Sequence, residues 1–227
     1  MPEHVPQRVV IAGGHGPVAL ILTQLLIDHG DQVVSLLRNP NHSTELQALG
    51  AEPVYIDLEQ VKLSELEQNL EEAGAVVFSS GAGEDGVEGG SMASANRIAA
   101  RMLADAAEVA GVRRFIQISA TGSGSPNQDG ADARLAEYLA AEQDLQRRTD
   151  LDWTIVRVSP LSDLEPSGTV RLEEASPESA AASGQVTIFD AATVLLELLE
   201  SNVAVGKILH LADGTTPILA ALTALDN

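Results

Sequence analysis

The chain of 227 residues carries 13 basic and 33 acidic residues, a net charge of −20 at pH 7, and no cysteine. This charge repels phosphate backbones and anionic lipid headgroups, which argues against nucleic acid and membrane surfaces as partners. The absence of cysteine excludes disulfides and thiolate chemistry.

Length and hydrophobic content suffice for one substantial core, so we expect a single domain over residues 1–227. The first residues, MPEHVPQRVV, have neither the basic nor the apolar region of a secretory signal, and no apolar run approaches the ~18 residues of a membrane span. We therefore expect a cytoplasmic protein whose partner is a small-molecule substrate. A homodimer is considered as an assembly state.

Short β-branched runs alternate with helical patterns along the chain. Strands are predicted at 8–12, 32–37, 53–56, 75–80, 114–119, 153–158 and 207–211, and helices at 17–29, 41–49, 63–72, 91–110, 131–148, 190–200 and 217–225. Most strands are almost continuously apolar, as expected when helices cover both faces. The alternation predicts an α/β fold, a Rossmann-type doubly wound parallel sheet of about seven strands with helices on both faces. We expect the strand order 3-2-1-4-5-6, with the seventh strand at the edge.

Residues 159–187 depart from this alternation. The stretch is rich in Ser, Pro, Gly and acidic residues, and its pattern predicts loops with two short strands around TVRL and QVTI. Long polar connections of this kind often carry function. We expect a small cap or flap over the substrate side of the sheet.

A glycine cluster links the first predicted strand to the first predicted helix. Gly14, Gly16 and Ala19 fit G-x-G-x-x-G/A, while Gly13, Gly16 and Ala19 fit G-x-x-G-x-x-A. Between a strand and a helix this spacing indicates dinucleotide binding, because glycine permits close approach and the helix N-terminus attracts phosphate. A tight turn without a ligand is the alternative. The cofactor-binding residues predicted here are Gly13, Gly14, His15, Gly16, Pro17 and Val18.

Two residues of this turn have further consequences. Pro17 suits the first helical position but has no N–H to offer a phosphate oxygen. The side chain of His15 is expected to point outward. The other histidines share no ligand spacing with an acidic residue, so no metal site is predicted.

Arg38 lies at the carboxyl end of the second predicted strand, in SLLRNP. An acidic residue here would bind a ribose 2′-hydroxyl, whereas a guanidinium accommodates a 2′-phosphate. Arg38 and the following Asn39 are therefore predicted to contact the cofactor, which favours NADP(H) over NAD(H). The alternative is an ordinary exposed arginine at the end of a strand.

Segments along nearly the whole chain resemble the atypical short-chain dehydrogenase/reductases of the NAD(P)H-binding and NAD-dependent epimerase/dehydratase-like type. They are IAGGHGPVAL, LLRNP, YIDLE, AVVFSSGAG, DAAEVAGVRRFIQIS, LDWTIVR and VGKILHLADGTTPILAAL. The resemblance implies NAD(P) across the carboxyl ends of the strands. The further cofactor-binding residues that it implies are Asp57 and Leu58 beside the adenine, Ser79, Ser80 and Gly81 along the ribose, and Ser119 and Pro160. Asp57 as a turn or N-cap residue, and SSGAG as a flexible strand exit, remain alternatives.

The catalytic pattern of this family is broken. Relatives that reduce or epimerise substrates use a Tyr-x-x-x-Lys pair with an upstream Ser or Thr. Here Tyr138 is followed at i+4 by Glu142, and other alignments place Arg134, or Leu135 and Leu139, at the pair. A carboxylate on the same helix face disfavours a tyrosinate, so Tyr138 is the weaker catalytic candidate and is expected to be structural.

Thr121 in ISATGS is the better catalytic candidate, for the role of the polarising Ser or Thr. A loop threonine capping a turn is the alternative. We expect an NADP(H)-binding oxidoreductase acting on a small carbonyl or quinone-like substrate. A non-catalytic NADP(H) sensor, which needs the glycine turn and Arg38 but no catalytic pair, is the alternative.

Overall fold

The computed structural model of the chain describes residues 5–79, 90–123, 133–175, 184–201 and 203–226, with the backbone alone at 90–95 and 133–134. Its strands are β1 (Arg8–Ala12), β2 (Gln32–Leu37), β3 (Glu52–Tyr55), β4 (Ala75–Phe78), β5 (Arg114–Ala120), β6 (Asp152–Val158), β7 (Leu161–Ser162), β8 (Thr169–Glu174), β9 (Val186–Thr187), β10 (Lys207–Asp213) and β11 (Thr216–Pro217). Its helices are α1 (Pro17–His29), α2 (Ser43–Leu49), α3 (Leu63–Leu70), α4 (Gly90–Ala110), α5 (Ala133–Gln146), α6 (Ile188–Glu200) and α7 (Ile218–Ala224), and a 3-10 turn at Pro40–His42 precedes α2.

The central sheet has nine strands in the order β11-β8-β10-β6-β5-β4-β1-β2-β3. From β3 to β10 every neighbouring pair is parallel, which confirms the Rossmann-type sheet and the predicted order of its first six strands. Two expectations are wrong. The sheet has nine strands where about seven were expected, and β10 is not the edge strand, because β8 and β11 lie outside it.

Part of the segment 159–187 belongs to the sheet. Strand β8 pairs antiparallel with β10, from Leu209 opposite Glu174 to Asp213 opposite Val170. The TVRL pattern allows this because Val170 and Leu172 are buried on one face while the alternate residues, Thr169 and Arg171, are polar. Strands β7 and β9 form a separate two-stranded sheet. That this segment covers a substrate site, and that residues 1–227 form one domain, stay predictions.

Helices cover both faces of the sheet, as predicted. Alternate residues of β1 enter different cores, with Val9 and Ile11 in one and Val10 and Ala12 in the other. The first core is closed by α1, α2, α6 and α7, and the second by α3, α4 and α5. Among the described residues, no helix is both long and apolar enough to cross a membrane.

Candidate functional site at the carboxyl edge of the sheet

The glycine turn between β1 and α1 lies at the carboxyl edge of the sheet. The N–H groups of Gly13 and Gly14 both donate to the carbonyl of Leu36 in β2, at 3.2 and 3.4 Å. Gly13 has a φ of 75°, and a Cβ added to Gly14 would lie 2.7 Å from the Cβ of Ser35. The fold itself therefore requires glycine at both positions.

Gly16 is different, because nothing in the described fold requires a glycine there. Its φ is −64°, and the nearest atom to an added Cβ would be the carbonyl oxygen of Gly13, at an ordinary 3.5 Å. Gly16 caps α1 without a side-chain hydrogen bond, Pro17 follows, and the first turn has no acidic residue. The glycine that packing does not require and the uncompensated helix N-terminus fit a dinucleotide pyrophosphate.

Arg38 and Asn39 lie directly after β2, beside the glycine turn. The Arg38 side chain is 52% exposed, and its Nη1 lies 3.3 Å from Oε1 of Glu59. The Oδ1 atom of Asn39 accepts the N–H of Asn41 at 3.0 Å and so starts the 3-10 turn. The guanidinium is thus only weakly held, by an exposed ion pair.

The His15 side chain points out of the glycine turn, as predicted. Its ring stacks on that of His42 with centroids 3.5 Å apart, and its Nε2 lies 2.7 Å from Oε2 of Glu45. These contacts connect the turn to the start of α2. The stacked pair was not predictable from the sequence, because its members come from different loops.

The Asp57 carboxylate is engaged by its own turn. Its Oδ1 accepts the N–H of Glu59 at 3.0 Å, and its Oδ2 accepts a hydrogen bond from Nε2 of Gln60 at 2.8 Å. These bonds match the turn-residue alternative. Leu58, beside it, is buried.

Ser79 follows β4 next to the turn. Its N–H donates to the carbonyl of Ala12 at 2.9 Å, and its Oγ lies 4.0 Å from the position of a Cβ on Gly16. The structure thus brings Ser79 to the glycine turn. Ser80 and Gly81 lie outside the described residues.

A buried polar group of four residues lies where α5 crosses β5 and β6; we call it the Glu142 cluster. The carboxylate of Glu142, fully buried, accepts hydrogen bonds from Oγ of Ser119 at 2.5 Å and of Ser123 at 2.7 Å. Arg157 binds both carboxylate oxygens, with Nη2 at 2.6 Å from Oε2. Ser119 was predicted to contact the cofactor, but its hydroxyl donates its hydrogen bond to Glu142 within this cluster.

Sequence reasoning missed the Glu142 cluster. In the sequence, Glu142 is notable only as the residue that follows Tyr138 at i+4, where the family pattern has a lysine. Arg157 is a single cation in the apolar strand DWTIVRV, and a charge in a strand covered on both faces needs a buried partner. That requirement was the available signal.

The catalytic candidates Thr121 and Tyr138 lie around this cluster. Thr121 donates its N–H to the carbonyl of Val158 at 3.1 Å. Within the described part of the chain its hydroxyl has only long contacts, 3.4 Å to Oγ of Ser159 and 3.5 Å to the Arg157 carbonyl. Tyr138 is half-buried on α5, one helical turn before Glu142. Of these two, the threonine hydroxyl is the group placed at the carboxyl ends of β5 and β6.

Pro160 lies beyond the end of β6 and is exposed. Its carbonyl accepts the N–H of Val186 at 3.0 Å, which joins the start of the 159–187 segment to its end. The predicted nicotinamide-side position is therefore at the same edge of the sheet as Thr121.

His210 of β10 is a further polar residue that sequence reasoning missed. It is 5% exposed, and among the described residues its Nδ1 has no hydrogen-bond partner. Burial lowers the pKa of His210 from its ordinary value, and the charge of Arg157 lowers it further. The carboxylates of Glu142 and Glu173 act in the opposite direction.

A histidine and two carboxylates meet at the opposite, amino edge of the sheet. Nδ1 of His29 lies 3.7 Å from Oδ2 of Asp31 and 3.4 Å from Oε1 of Glu200. The three ligand-type atoms lie within 4.8 Å of one another. Sequence spacing missed the group because Glu200 ends a distant helix. Groups of this kind are common at protein surfaces without a bound metal ion.

Comparison with known proteins identifies the family. Residues 13–202 match the model of the NAD(P)H-binding family. The chain belongs to this family. It is 30% identical over 234 residues to a UPF0659 protein of Schizosaccharomyces pombe, covering 94% of this chain and 92% of that protein.

Two solved structures are similar to this NAD(P)H-binding protein over almost its full length. A Bacillus halodurans protein named as an NAD-dependent epimerase/dehydratase has a TM-score of 0.84 and 30% identity, covering 96% of this chain and 100% of the other. An oxidoreductase of Lactococcus lactis has a TM-score of 0.77 and 27% identity, covering 96% of each chain. These matches confirm the resemblance to atypical short-chain dehydrogenase/reductases and a nicotinamide cofactor.

Proposed function

We propose that this NAD(P)H-binding protein is an NADP(H)-dependent oxidoreductase acting on a small carbonyl or quinone-like substrate. The observation that carries the proposal is the pairing of Gly16, where the fold needs no glycine, with Arg38 at the end of the neighbouring strand. A pyrophosphate fits the first position and a 2′-phosphate the second.

The residues at this edge divide into four proposed groups along the cofactor. The backbone from Gly13 to Val18 binds the pyrophosphate, and Arg38 and Asn39 bind the 2′-phosphate. The adenine and ribose lie along Asp57, Leu58, Ser79, Ser80 and Gly81, and Ser119 and Pro160 belong to the nicotinamide side. The nicotinamide supplies or accepts a hydride when bound.

Thr121 is the proposed polarising residue. Among the described residues its hydroxyl has only long contacts, at 3.4 and 3.5 Å, so we expect it to donate a hydrogen bond to a substrate oxygen. The Ser119 hydroxyl already donates its hydrogen bond to Glu142. Tyr138 is not proposed as the proton donor, because the residue one turn after it is a carboxylate paired with Arg157.

A non-catalytic NADP(H) sensor is the second candidate. The observation that favours it is the Glu142 cluster, in which the residue four after Tyr138 is a carboxylate paired with Arg157 and not the lysine of the family pattern. A small molecule is the proposed partner in either case. A homodimer stays a prediction, which light scattering on the purified protein checks.

The cofactor preference is tested by calorimetric titration with NADPH and NADH. Arg38→Ala is expected to weaken NADPH binding by ~1.5–3 kcal/mol, about 10–100-fold, because a charge-assisted bond to the 2′-phosphate is lost. NADH binding is expected to be unchanged. Arg101→Ala is the matched control, since Arg101 is also an exposed arginine and lies on α4.

Equal affinities of the wild type for the two cofactors, or an Arg38→Ala variant that binds NADPH normally, would refute the NADP(H) preference.

A turnover assay distinguishes the enzyme from the sensor. It measures the loss of NADPH absorbance in the presence of menadione or 4-nitrobenzaldehyde. Turnover that falls in Thr121→Ala supports the enzyme. Tight NADPH binding without turnover supports the sensor.

A further inference from the structure

Three polar residues stand side by side on one face of the sheet, across three parallel strands. Ser119 of β5 is in register with Arg157 of β6, and Arg157 with His210 of β10. Residues in register point to the same face. Ser119 and Arg157 are each one residue from the end of their strand. The row therefore lies just beneath the carboxyl edge, where open parallel sheets bind their ligands.

His210 is the incomplete member of this row. Ser119 and Arg157 both form hydrogen bonds with Glu142. In contrast, Nδ1 of His210 has no partner among the described residues, although His210 is only 5% exposed. Leaving a buried polar atom unpaired destabilises the fold, so such an atom calls for an explanation. A ligand that bonds to this nitrogen is one explanation.

Charged groups approach His210 from each of the three neighbouring elements. Arg157 comes from β6, Glu142 from α5, and Glu173 and Arg171 from β8. Since Glu142 is already bonded to Arg157, burial and the arginine charge dominate and lower the pKa of His210. The imidazole is therefore neutral near pH 7, and a neutral imidazole accepts a proton.

We propose that His210 is the residue that exchanges the proton of the substrate oxygen, with Arg157 and Glu142 as positioning residues. The proposal rests on the oxidoreductase function proposed above. In the oxidation direction, the hydroxyl proton of an alcohol passes to Nδ1 of His210 as its carbon gives a hydride to the oxidised nicotinamide. In reduction, protonated His210 returns the proton to the carbonyl oxygen and is reprotonated from water.

This assignment places proton transfer on β10 instead of on α5. The family pattern needs a tyrosine and a lysine on that helix, but here the helix supplies Glu142, which fixes Arg157 beside the histidine. The arginine charge disfavours a protonated imidazole, so a proton taken from the substrate is released easily.

The test measures NADPH oxidation by menadione and 4-nitrobenzaldehyde from pH 5 to 9. His210→Asn is expected to lower kcat by about 10²–10⁴-fold, the usual contribution of acid–base catalysis, without changing the Kd of NADPH. In the wild type, kcat for reduction should fall as pH rises through the pKa of His210. In His210→Asn, kcat should not show this descending limb of the pH profile. His29→Asn, which alters a histidine at the amino edge, is the control.

Two further measurements do not depend on the activity of that variant. Glu173→Gln removes an exposed carboxylate that raises the pKa of His210, so the limb should move to lower pH. In the wild-type NADP⁺ complex, the imidazole NMR signal of His210 should shift when menadione or 4-nitrobenzaldehyde, whichever the enzyme reduces, is added. This signal decides the question if His210→Asn does not fold.

The outcomes separate the two proposals. Wild-type turnover that His210→Asn retains within a few-fold, or an unmoved His210 signal, overturns the role of His210 and leaves the oxidoreductase function standing. A wild type that binds NADPH but consumes it with neither acceptor overturns both. Loss of turnover and of the pH limb in His210→Asn alone supports the assignment.

Discussion

At the scale of single residues, neighbouring glycines of the turn serve different purposes. Gly14 faces Ser35 so closely that no side chain fits, whereas a Cβ on Gly16 makes only ordinary contacts. The first is a requirement of packing between β1 and β2. The second lies at the N-terminus of α1, which has no side-chain cap, and a helix N-terminus is a favourable place for a phosphate.

Substitution of the two glycines should therefore separate stability from binding. Gly14→Ala is expected to destabilise the protein by about 1–3 kcal/mol, because the new Cβ would lie 2.7 Å from the Cβ of Ser35. Gly16→Ala should unfold like the wild type but bind NADPH more weakly. Thermal unfolding and calorimetric titration measure the two effects, and a Gly16→Ala variant with normal NADPH binding would contradict the proposed pyrophosphate site.

Glu59 is expected to compete with the cofactor for Arg38. Its carboxylate lies 3.3 Å from Nη1 in a partly exposed pair, which is worth at most about 1 kcal/mol. Glu59→Gln should therefore strengthen NADPH binding by up to about five-fold and leave NADH binding unchanged. Glu65→Gln on α3 controls for the change in net charge. An equal gain in both variants would show a long-range charge effect and no competition at Arg38.

At the scale of elements, the sequence predicts boundaries well where the chain itself marks them. The limits of α1, Pro17–His29, are as predicted because Pro17 opens the helix and Gly30 closes it in the left-handed conformation, with φ 99°. The place of β8 beside β10 depends on antiparallel pairing between distant segments, so a strand was predictable there but its partner was not. Likewise, Glu142 was visible on its helix, but its pairing with Arg157 depends on how α5 lies across β6.

Removing one partner of the Glu142–Arg157 pair should destabilise the protein more than removing both. Arg157→Met leaves the fully buried Glu142 carboxylate without its cation and is expected to cost about 3–5 kcal/mol. The double substitution of Arg157→Met with Glu142→Leu removes both charges and should recover most of this loss. Urea unfolding of the two variants gives the comparison. A single variant as stable as the wild type would show that Ser119 and Ser123 alone satisfy the carboxylate.

At the scale of the whole molecule, charge and topology act on different parts of the surface. The functional candidates gather at the carboxyl edge because every strand from β3 to β10 points the same way, so residues far apart in sequence end at one edge. At that edge Arg38 is an exposed cation on a chain of net charge −20. The anionic cofactor must approach against the overall charge, which makes local donors more important than long-range attraction.

The same excess of negative charge predicts how stability depends on salt. With 33 acidic and 13 basic residues, most carboxylates have no cation to pair with, and their mutual repulsion opposes the compact state. Salt also weakens the surface ion pairs, but each of these is worth only about 0–1 kcal/mol, so we expect repulsion to dominate. The Tm should rise with NaCl and level off near roughly 0.2 M, where the Debye length falls below about 8 Å. Thermal unfolding at constant pH measures this dependence. A Tm that falls with NaCl would mean that ion pairs dominate. A Tm that rises linearly up to molar salt would indicate preferential exclusion of the salt instead of screening.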